Sequence, residues 1–293
     1  MMKIVSYLKR YYLCFLTLIS PKLNSKVFYK QRMGKSLNLK NPIDFNEKIQ
    51  WLKLNTYYNN PLITKCADKL MVRDYIKELG HEKLLNDIIA VYDNVDEIKW
   101  DELPNKFVIK WNYGCGYNLI CSNKAELNIP TVKKKLKKWG KKKFHLHTSE
   151  MQYKNIEKKL ICEKYLENKT NSAIEDYKFY CFNGNPYCVM ICIDRDKGKP
   201  KFLFFDKDWK FLKINKQSLS KPDNFTVPKP KGMDEMFKYA ASLSKSFPFV
   251  RVDFYNVEGQ TIFGELTFTP SAGMDNGYTD DALILLGNMI TPN

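Results

Sequence analysis

The chain has 293 residues, 44% hydrophobic and 14% aromatic, with 48 Lys and Arg against 32 Asp and Glu for a net charge of +16. This length and aromatic content argue against a disordered chain and allow one large or two to three smaller packed units. The positive balance favours anionic partners such as nucleotides, acidic glycans or anionic lipid, and no nucleic-acid-binding motif accompanies it.

Cysteines at 14, 66, 115, 121, 162, 181, 188 and 192 contain no Cys-x-x-Cys pair. That pattern argues against structural zinc or a secreted disulfide scaffold and favours a reducing, cytosolic setting.

In chain order, Lys3, Lys9 and Arg10 lead into an apolar run at 11–19. The run resembles a signal-peptide core but is followed by Ser20-Pro21-Lys22 rather than a small-x-small cleavage site. It falls short of the roughly 20 residues that span a bilayer. Packing on the protein body is the expected state, with an interfacial helix on an anionic membrane as the alternative.

Residues 41–51 read as a helix capped by Asp44, with Glu47 at the capping-box spacing. A second helix covers 68–79, with Val72, Tyr75, Ile76 and Leu79 as its stripe and Gly80 as its stop. Residues 84–92 are strand or mixed, and 107–111 are a strand that runs through loop 112–117 into a return strand at 118–121. Eight lysines within 133–143 suggest a solvated helix face, with a polyanion patch as the alternative. A helix through Tyr153, Ile156 and Leu160 should feed an apolar strand ending at 163–166.

Hairpin strands at 176–182 and 186–193 flank Asn183-Gly184, a strong turn signal. Strands at 201–205 and 209–214 extend the meander, and Met233, Met236, Phe237, Ala240, Leu243 and Phe247 outline a helix. A final hairpin pairs 249–255 with 262–270. Helices interspersed with antiparallel hairpins predict an α+β fold.

Several positions carry chemistry. Strand alternation puts Arg251, Asp253 and Tyr255 on one face, and predicts that Phe263, Glu265 and Thr267 project together. If the polar faces align, two carboxylates and a cation share a space suited to magnesium and phosphate oxygens; a solvated edge hairpin is the competing reading. Lys110 ends a strand beside Gly114-x-Gly116, where backbone amides can approach phosphate, although a plain hairpin loop reads the same way.

Glu163-Lys-Tyr-Leu166 could present its backbone to an adenine edge, or simply end a strand. Asp176 and Lys178 share a face and could serve a ribose hydroxyl and a phosphate, or form a surface ion pair. His145 and His147 read as surface residues on one strand face. Asp194-Arg-Asp196 and Asp206-Lys-Asp208 are triplets of the kind glycosyltransferases use for metal and nucleotide sugar, but turn chemistry explains them better.

The order of these pieces is similar to that of the ATP-grasp superfamily. Asp68-Lys69, Asp176-Tyr-Lys-Phe-Tyr-Cys-Phe-Asn-Gly184, Phe247-Pro-Phe-Val-Arg-Val-Asp-Phe-Tyr255 and Phe263-Gly-Glu-Leu-Thr-Phe-Thr-Pro270 resemble its TupA-like branch. That branch is named for teichuronopeptide biosynthesis and found among cell-surface polysaccharide genes. The resemblance runs from about 41 to about 287 and implies two α+β subdomains of mainly antiparallel sheet clasping ATP. The implied division is a helical arm at 1–45, a helical region at 46–102, a glycine-loop subdomain at 103–166 and a metal-bearing subdomain at 167–293.

It implies an ATP-dependent carboxylate–amine ligase working through an acylphosphate in the cytoplasm. Its partners would be an acidic sugar or glycan precursor and an amine or amino acid. Residue by residue, Lys110 and Lys178 would contact ATP phosphates under a loop containing Gly114 and Gly116. Glu163, Lys164, Tyr165 and Leu166 would form the adenine hinge, and Asp176 would sit near the ribose. Asp253, Glu265 and Thr267 would hold magnesium, Thr267 standing where many such ligases carry Asn. Arg251, with Lys178, would stabilise the transferring phosphoryl group. Lys69 matches the family's position, but a solvent-exposed role is expected for it.

Overall fold

A computed structural model describes residues 2–168, 174–193 and 200–291, with side chains from residue 8 onward. Two helices open the chain. In α1 (Met2–Ile19), Leu13, Leu16 and Thr17 are buried while Leu8, Tyr11, Phe15 and Leu18 face outward. Ser20 then caps α2 (Pro21–Met33) by accepting from the Leu23 amide, and Pro21 takes the first helical position, where its missing N–H costs nothing. The expected packing on the body therefore holds for one face of α1. Among the described residues no helix is long and apolar enough to cross a membrane.

Asp44 caps α3 (Phe45–Leu54) as predicted, accepting from the Glu47 amide at 2.9 Å. The Glu47 carboxylate reaches past the cap to the amides of Ile43 (3.0 Å) and Asn38 (3.3 Å), pinning the incoming loop. After α4 (Pro61–Ala67), Asp68 accepts from the Leu70 and Met71 amides. That local turn delays α5 (Val72–Glu78) by four residues relative to the expected start.

Strands β1 (Ile88–Tyr92), β2 (Phe107–Trp111), β3 (Asn118–Cys121) and β4 (Leu160–Lys164) form an antiparallel sheet in the order β1-β4-β2-β3. Helices α6 (Ile129–Gly140) and α7 (His145–Thr148) lie between β3 and β4. In α6 the lysines face solvent and Val132 and Leu136 are buried, in line with a solvated face.

Two expectations fail in this region. His145 and His147 sit on a helical turn rather than a strand face, where burial lowers the pKa of both. The helix expected through 153–160 is one 3-10 turn, Met151–Tyr153, followed by irregular chain. Asn112 explains this. Its side chain donates to the Glu157 carbonyl and accepts from the Lys159 amide, and its amide donates to the Lys159 carbonyl, so backbone groups a helix would need are already spent.

The second sheet has six strands: β5 (Glu175–Phe182), β6 (Asn185–Ile193), β7 (Lys201–Phe205), β8 (Phe211–Leu212), β9 (Phe249–Val257) and β10 (Gln260–Thr267). Their order is β10-β9-β5-β6-β7-β8, every neighbouring pair antiparallel. Strand β8 is shorter than expected because Asp206 closes a turn onto Lys210 and Trp209 adopts a left-handed φ of 62°, its ring stacked on Phe205. Helix α8 (Met233–Ser244) covers one face with fully buried Met236, Ala240 and Leu243.

Helix α9 (Asp280–Asn288) packs on α3. At Gly287 any Cβ would lie 2.4 Å from the Ile43 carbonyl oxygen, so only glycine permits that approach. Phe45 ties these layers together, its ring 5.1 Å from Phe249, 5.7 Å from Tyr278 and 6.2 Å from Phe182. Phe45→Ala should cost about 3–5 kcal/mol, read as a lower urea midpoint at unchanged slope.

Candidate active site

Strands β5, β9 and β10 carry a polar lattice on the face away from Val250, Val252 and Phe254. Lys178 pairs across to Asp253, which pairs across to Glu265; Tyr180, Arg251 and Thr267 form the neighbouring row, and Asp176 opposes Tyr255. The row depends on a bulge. Phe263 pairs with Phe254 and Glu265 with Asp253, leaving Gly264 as the extra residue.

This corrects the expected alternation. Phe263 lies on the core face with Phe254 and Leu266, and Ile262 shares the face of Tyr255, while Glu265 and Thr267 keep the polar face. A Cβ at Gly264 would sit 3.0 Å from the Asp253 carbonyl oxygen, which suits a glycine at the inserted position.

Charges on this face balance. Arg251 grips Asp253 as a fork, Nε to Oδ1 and Nη2 to Oδ2 both at 2.7 Å, and Nη2 also donates to Thr267 Oγ1 at 3.1 Å. Thr267 passes its proton side to Glu265 Oε1 at 2.9 Å. Lys178 bonds Asp176 and lies 3.1 Å from Asp253 Oδ2.

Burial pushes the Glu265 pKa up, but Lys69, Arg251, the Thr267 hydroxyl and Lys178 outweigh it and hold the carboxyl below its ordinary value. Its stabilising contribution is therefore present above the unfolded pKa and lost as pH falls through the folded one. For Lys178 burial lowers the pKa, and the Asp253 and Asp176 charges reverse that into a net rise.

Lys69 departs from expectation. Rather than facing solvent, its side chain is 12% exposed, donates to the Gly114 carbonyl at 2.6 Å and lies 3.9 Å from Glu265 Oε2. It thus joins the glycine loop of the first sheet to the carboxylates of the second. Burial, with Lys110 nearby, lowers its pKa.

The loop itself is anchored at Asn112, which is fully buried, bonds Asp68 Oδ2 at 2.9 Å, and accepts the Lys69 amide on its carbonyl. Gly114 has φ of 68°, and a Cβ there would meet the Phe144 ring at 2.8 Å; Gly116, at φ 75°, faces open space. Cys115 between them is exposed.

At the other end of the cleft Lys110 forms a 2.7 Å ion pair with Glu163, both side chains largely covered. Tyr255, not singled out from sequence as a site residue, lies close enough to Glu265, Asp253, Asp176 and Glu163 for all four to raise its pKa beyond the effect of burial. It stands near acidic groups of both sheets. Lys164 instead points outward to Asp87, its amide donating to the Asp87 carbonyl, and Tyr165 is half-buried near Lys106. Leu166 follows, also half-buried.

Of the rival triplets, Asp206 is used in its own turn, and Asp194-Arg-Asp196 lies outside the described residues. Cys66, Cys121, Cys162, Cys181, Cys188 and Cys192 are buried free thiols.

A buried polar cluster adjoins the carboxylates. Glu150 accepts from Thr148 and Thr269 hydroxyls at 2.5 and 2.6 Å, and Lys53 donates to the Thr148 carbonyl at 2.8 Å. None of these was visible as a set in the sequence, since they come together from three distant segments.

Two antiparallel-sheet units facing a glycine loop, with carboxylates and cations between, define an α+β ATP-grasp architecture. The TupA-like ATP-grasp family profile matches residues 47–291. The chain belongs to that family and is an ATP-grasp ligase.

No curated protein sequence matches it. Similar solved structures include a D-alanine–D-alanine ligase from Bacillus anthracis (15% identity, 85% of this chain and 69% of that one, TM-score 0.47). Another is the Helicobacter pylori D-alanine–D-alanine ligase (13%, 85% and 62%, TM-score 0.42). A third is an N5-carboxyaminoimidazole ribonucleotide synthetase in its ADP complex (12%, 76% and 50%, TM-score 0.44).

Burial lowers the Lys53 pKa from 10.5 to about 8. Between those values the unfolded chain holds more protons, so this site makes stability rise with pH, by up to about 3 kcal/mol. Lys53→Met should flatten that rise in denaturation curves taken across the window.

Proposed function

We propose that the chain is a carboxylate–amine ligase that activates an acid with ATP and magnesium. The observation that carries this reading is the Asp253–Glu265 pair, set opposite each other by the bulge and surrounded by Arg251, Lys178 and Lys69 beneath the Gly114 loop.

The donor set fits magnesium. Two carboxylates and the Thr267 hydroxyl are hard oxygen donors, and magnesium habitually takes one or two carboxylates together with phosphate oxygens and water. Among the described residues no cluster of three or more His, Cys, Asp and Glu forms a protein-only cage. Magnesium bound by Asp253 and Glu265 would neutralise phosphate charge.

This chain's own residues do the rest. Arg251, Lys178 and Lys69 are already held on carboxylates, so they enter the reaction positioned. With magnesium on Asp253 and Glu265, the three cations would be free to meet phosphate oxygens, which would keep the site balanced. Lys110 would meet phosphate oxygens, with Gly114 and Gly116 presenting backbone to them. The backbone of Glu163, Lys164, Tyr165 and Leu166 would present the adenine hinge, and Asp176 would meet the ribose.

The acid's carboxylate attacks the γ-phosphorus, ADP leaves, and the amine then displaces phosphate from the acylphosphate carbonyl. Arg251 would stabilise the phosphoryl oxygens in the first step and the oxyanion in the second. The fork to Asp253 aims its guanidinium along this face before substrate arrives.

Family membership and the +16 charge support an acidic sugar or glycan precursor as the acid and an amine or amino acid as acceptor, in cytoplasmic cell-surface polysaccharide assembly. Because Ile88–Tyr92 pairs into the glycine-loop sheet, we also propose that this subdomain begins before residue 103.

Purified protein should release ADP only when ATP, magnesium, a uronic-type acid and an amine are all present. Asp253→Asn with Glu265→Gln should lower that turnover at least about 100-fold, and unchanged turnover would sink the site. ATP with magnesium should raise the melting temperature, and a UDP-sugar should leave it unmoved.

A further inference from the structure

Outside the catalytic cleft, the largest feature without an assigned role is the outer face of α1. Leu8, Tyr11, Tyr12, Phe15, Leu18 and Ile19 are 50–72% exposed. They recur at intervals of three and four, so they form one stripe along the helix, while Leu13, Leu16 and Thr17 seal the opposite side. Leu23, 41% exposed at the start of α2, continues the stripe. A contiguous apolar face of this kind marks a docking surface rather than scattered surface residues.

The charge around it identifies the occupant. Residues 1–43 contain no Asp or Glu. Exposed Lys9, Arg10, Lys22 and Lys26 flank the stripe. Arg10 lies close enough to Lys142 to lower its pKa beyond the effect of burial, as does Lys138, so the basic rim continues onto the end of α6.

We propose that α1 docks the protein on the surface of a bilayer containing anionic phospholipid, lying in the interface with its apolar stripe among the acyl chains and its basic rim on the headgroups. Tyr11 and Tyr12 suit that boundary, since each has an apolar ring and a polar tip. A second copy of the chain fits worse, because pairing two such faces would bring basic rims together. Among the described residues no helix, this one included, is long and apolar enough to cross a membrane.

The helix is fastened to the enzyme rather than hung from it. Thr17 donates to the Leu146 carbonyl at 2.6 Å, and Asn24 donates to the His147 carbonyl at 3.1 Å and to Ser149 at 3.0 Å. The same segment carries Phe144, whose ring packs on Tyr117 beside the glycine loop. Docking would therefore hold the loop side of the cleft next to the membrane. This proposal does not rest on the identity of the ligase substrates.

The test is flotation of the full chain with phosphatidylcholine vesicles, with and without phosphatidylglycerol. Binding should require phosphatidylglycerol and weaken with salt. The triple variant Phe15→Ser, Leu18→Ser, Ile19→Ser should partition at least about tenfold less with an unchanged melting temperature, because those side chains touch solvent. Lys9→Glu with Lys22→Glu should lose the preference for anionic vesicles.

Failure to float with either vesicle would overturn the proposal, as would equal binding by the triple variant. A dimer in sedimentation velocity that the triple variant splits would assign the face to self-association instead.

Discussion

One inserted residue decides which way the chemistry points. In a regular β9–β10 ladder, Phe254 opposite Phe263 would place Gly264 opposite Asp253 and Glu265 opposite Val252, on the packed face beneath α8. A carboxylate there would lie among apolar side chains with no partner, at a cost of several kcal/mol. The bulge at Gly264 resets the count, so Phe263 stays in the core and Glu265 turns toward Asp253. Everything on that face follows from this shift: the Thr267 hydroxyl bond, the reach of Arg251 and the approach of Lys69.

The second constraint is electrostatic. Three carboxylates, Asp176, Asp253 and Glu265, stand on one sheet face within reach of three cations, Lys69, Lys178 and Arg251. Like charges so close would repel and take up protons without the cations among them. The cations in turn are spared the desolvation penalty of lone buried charges. The arrangement sets opposite charges side by side on one face before any nucleotide arrives.

Much of this was legible in the sequence because it is local. The Asp44 cap, the Asn183-Gly184 hairpin and the spacing of Arg251, Asp253 and Tyr255 each depend on residues a few positions apart, and short-range geometry reads them correctly. The face of Phe263 was misread, although the isolated glycine before Glu265 is the signal that marks a bulge.

Lys69 reads as a surface residue from sequence because its partners are 45 positions away at Gly114 and far beyond at Glu265. The chain from Tyr153 to Leu160 has helical spacing, yet Asn112 claims its backbone groups. The Lys53–Glu150–Thr269 cluster had no local pattern at all. In these three cases what sequence periodicity misses is a bond between distant segments.

Asn112 has a mechanical consequence as well. Its backbone and side chain bind Lys159, Lys69, Asp68 and Glu157, and the loop is closed again by the Trp111 amide on the Tyr117 carbonyl. Tyr113 is tied through its hydroxyl to the Trp139 carbonyl. Only residues 114–116 remain between these fixings, a lever arm of about 10 Å at full extension. A segment this short, held on both sides, can shift only locally.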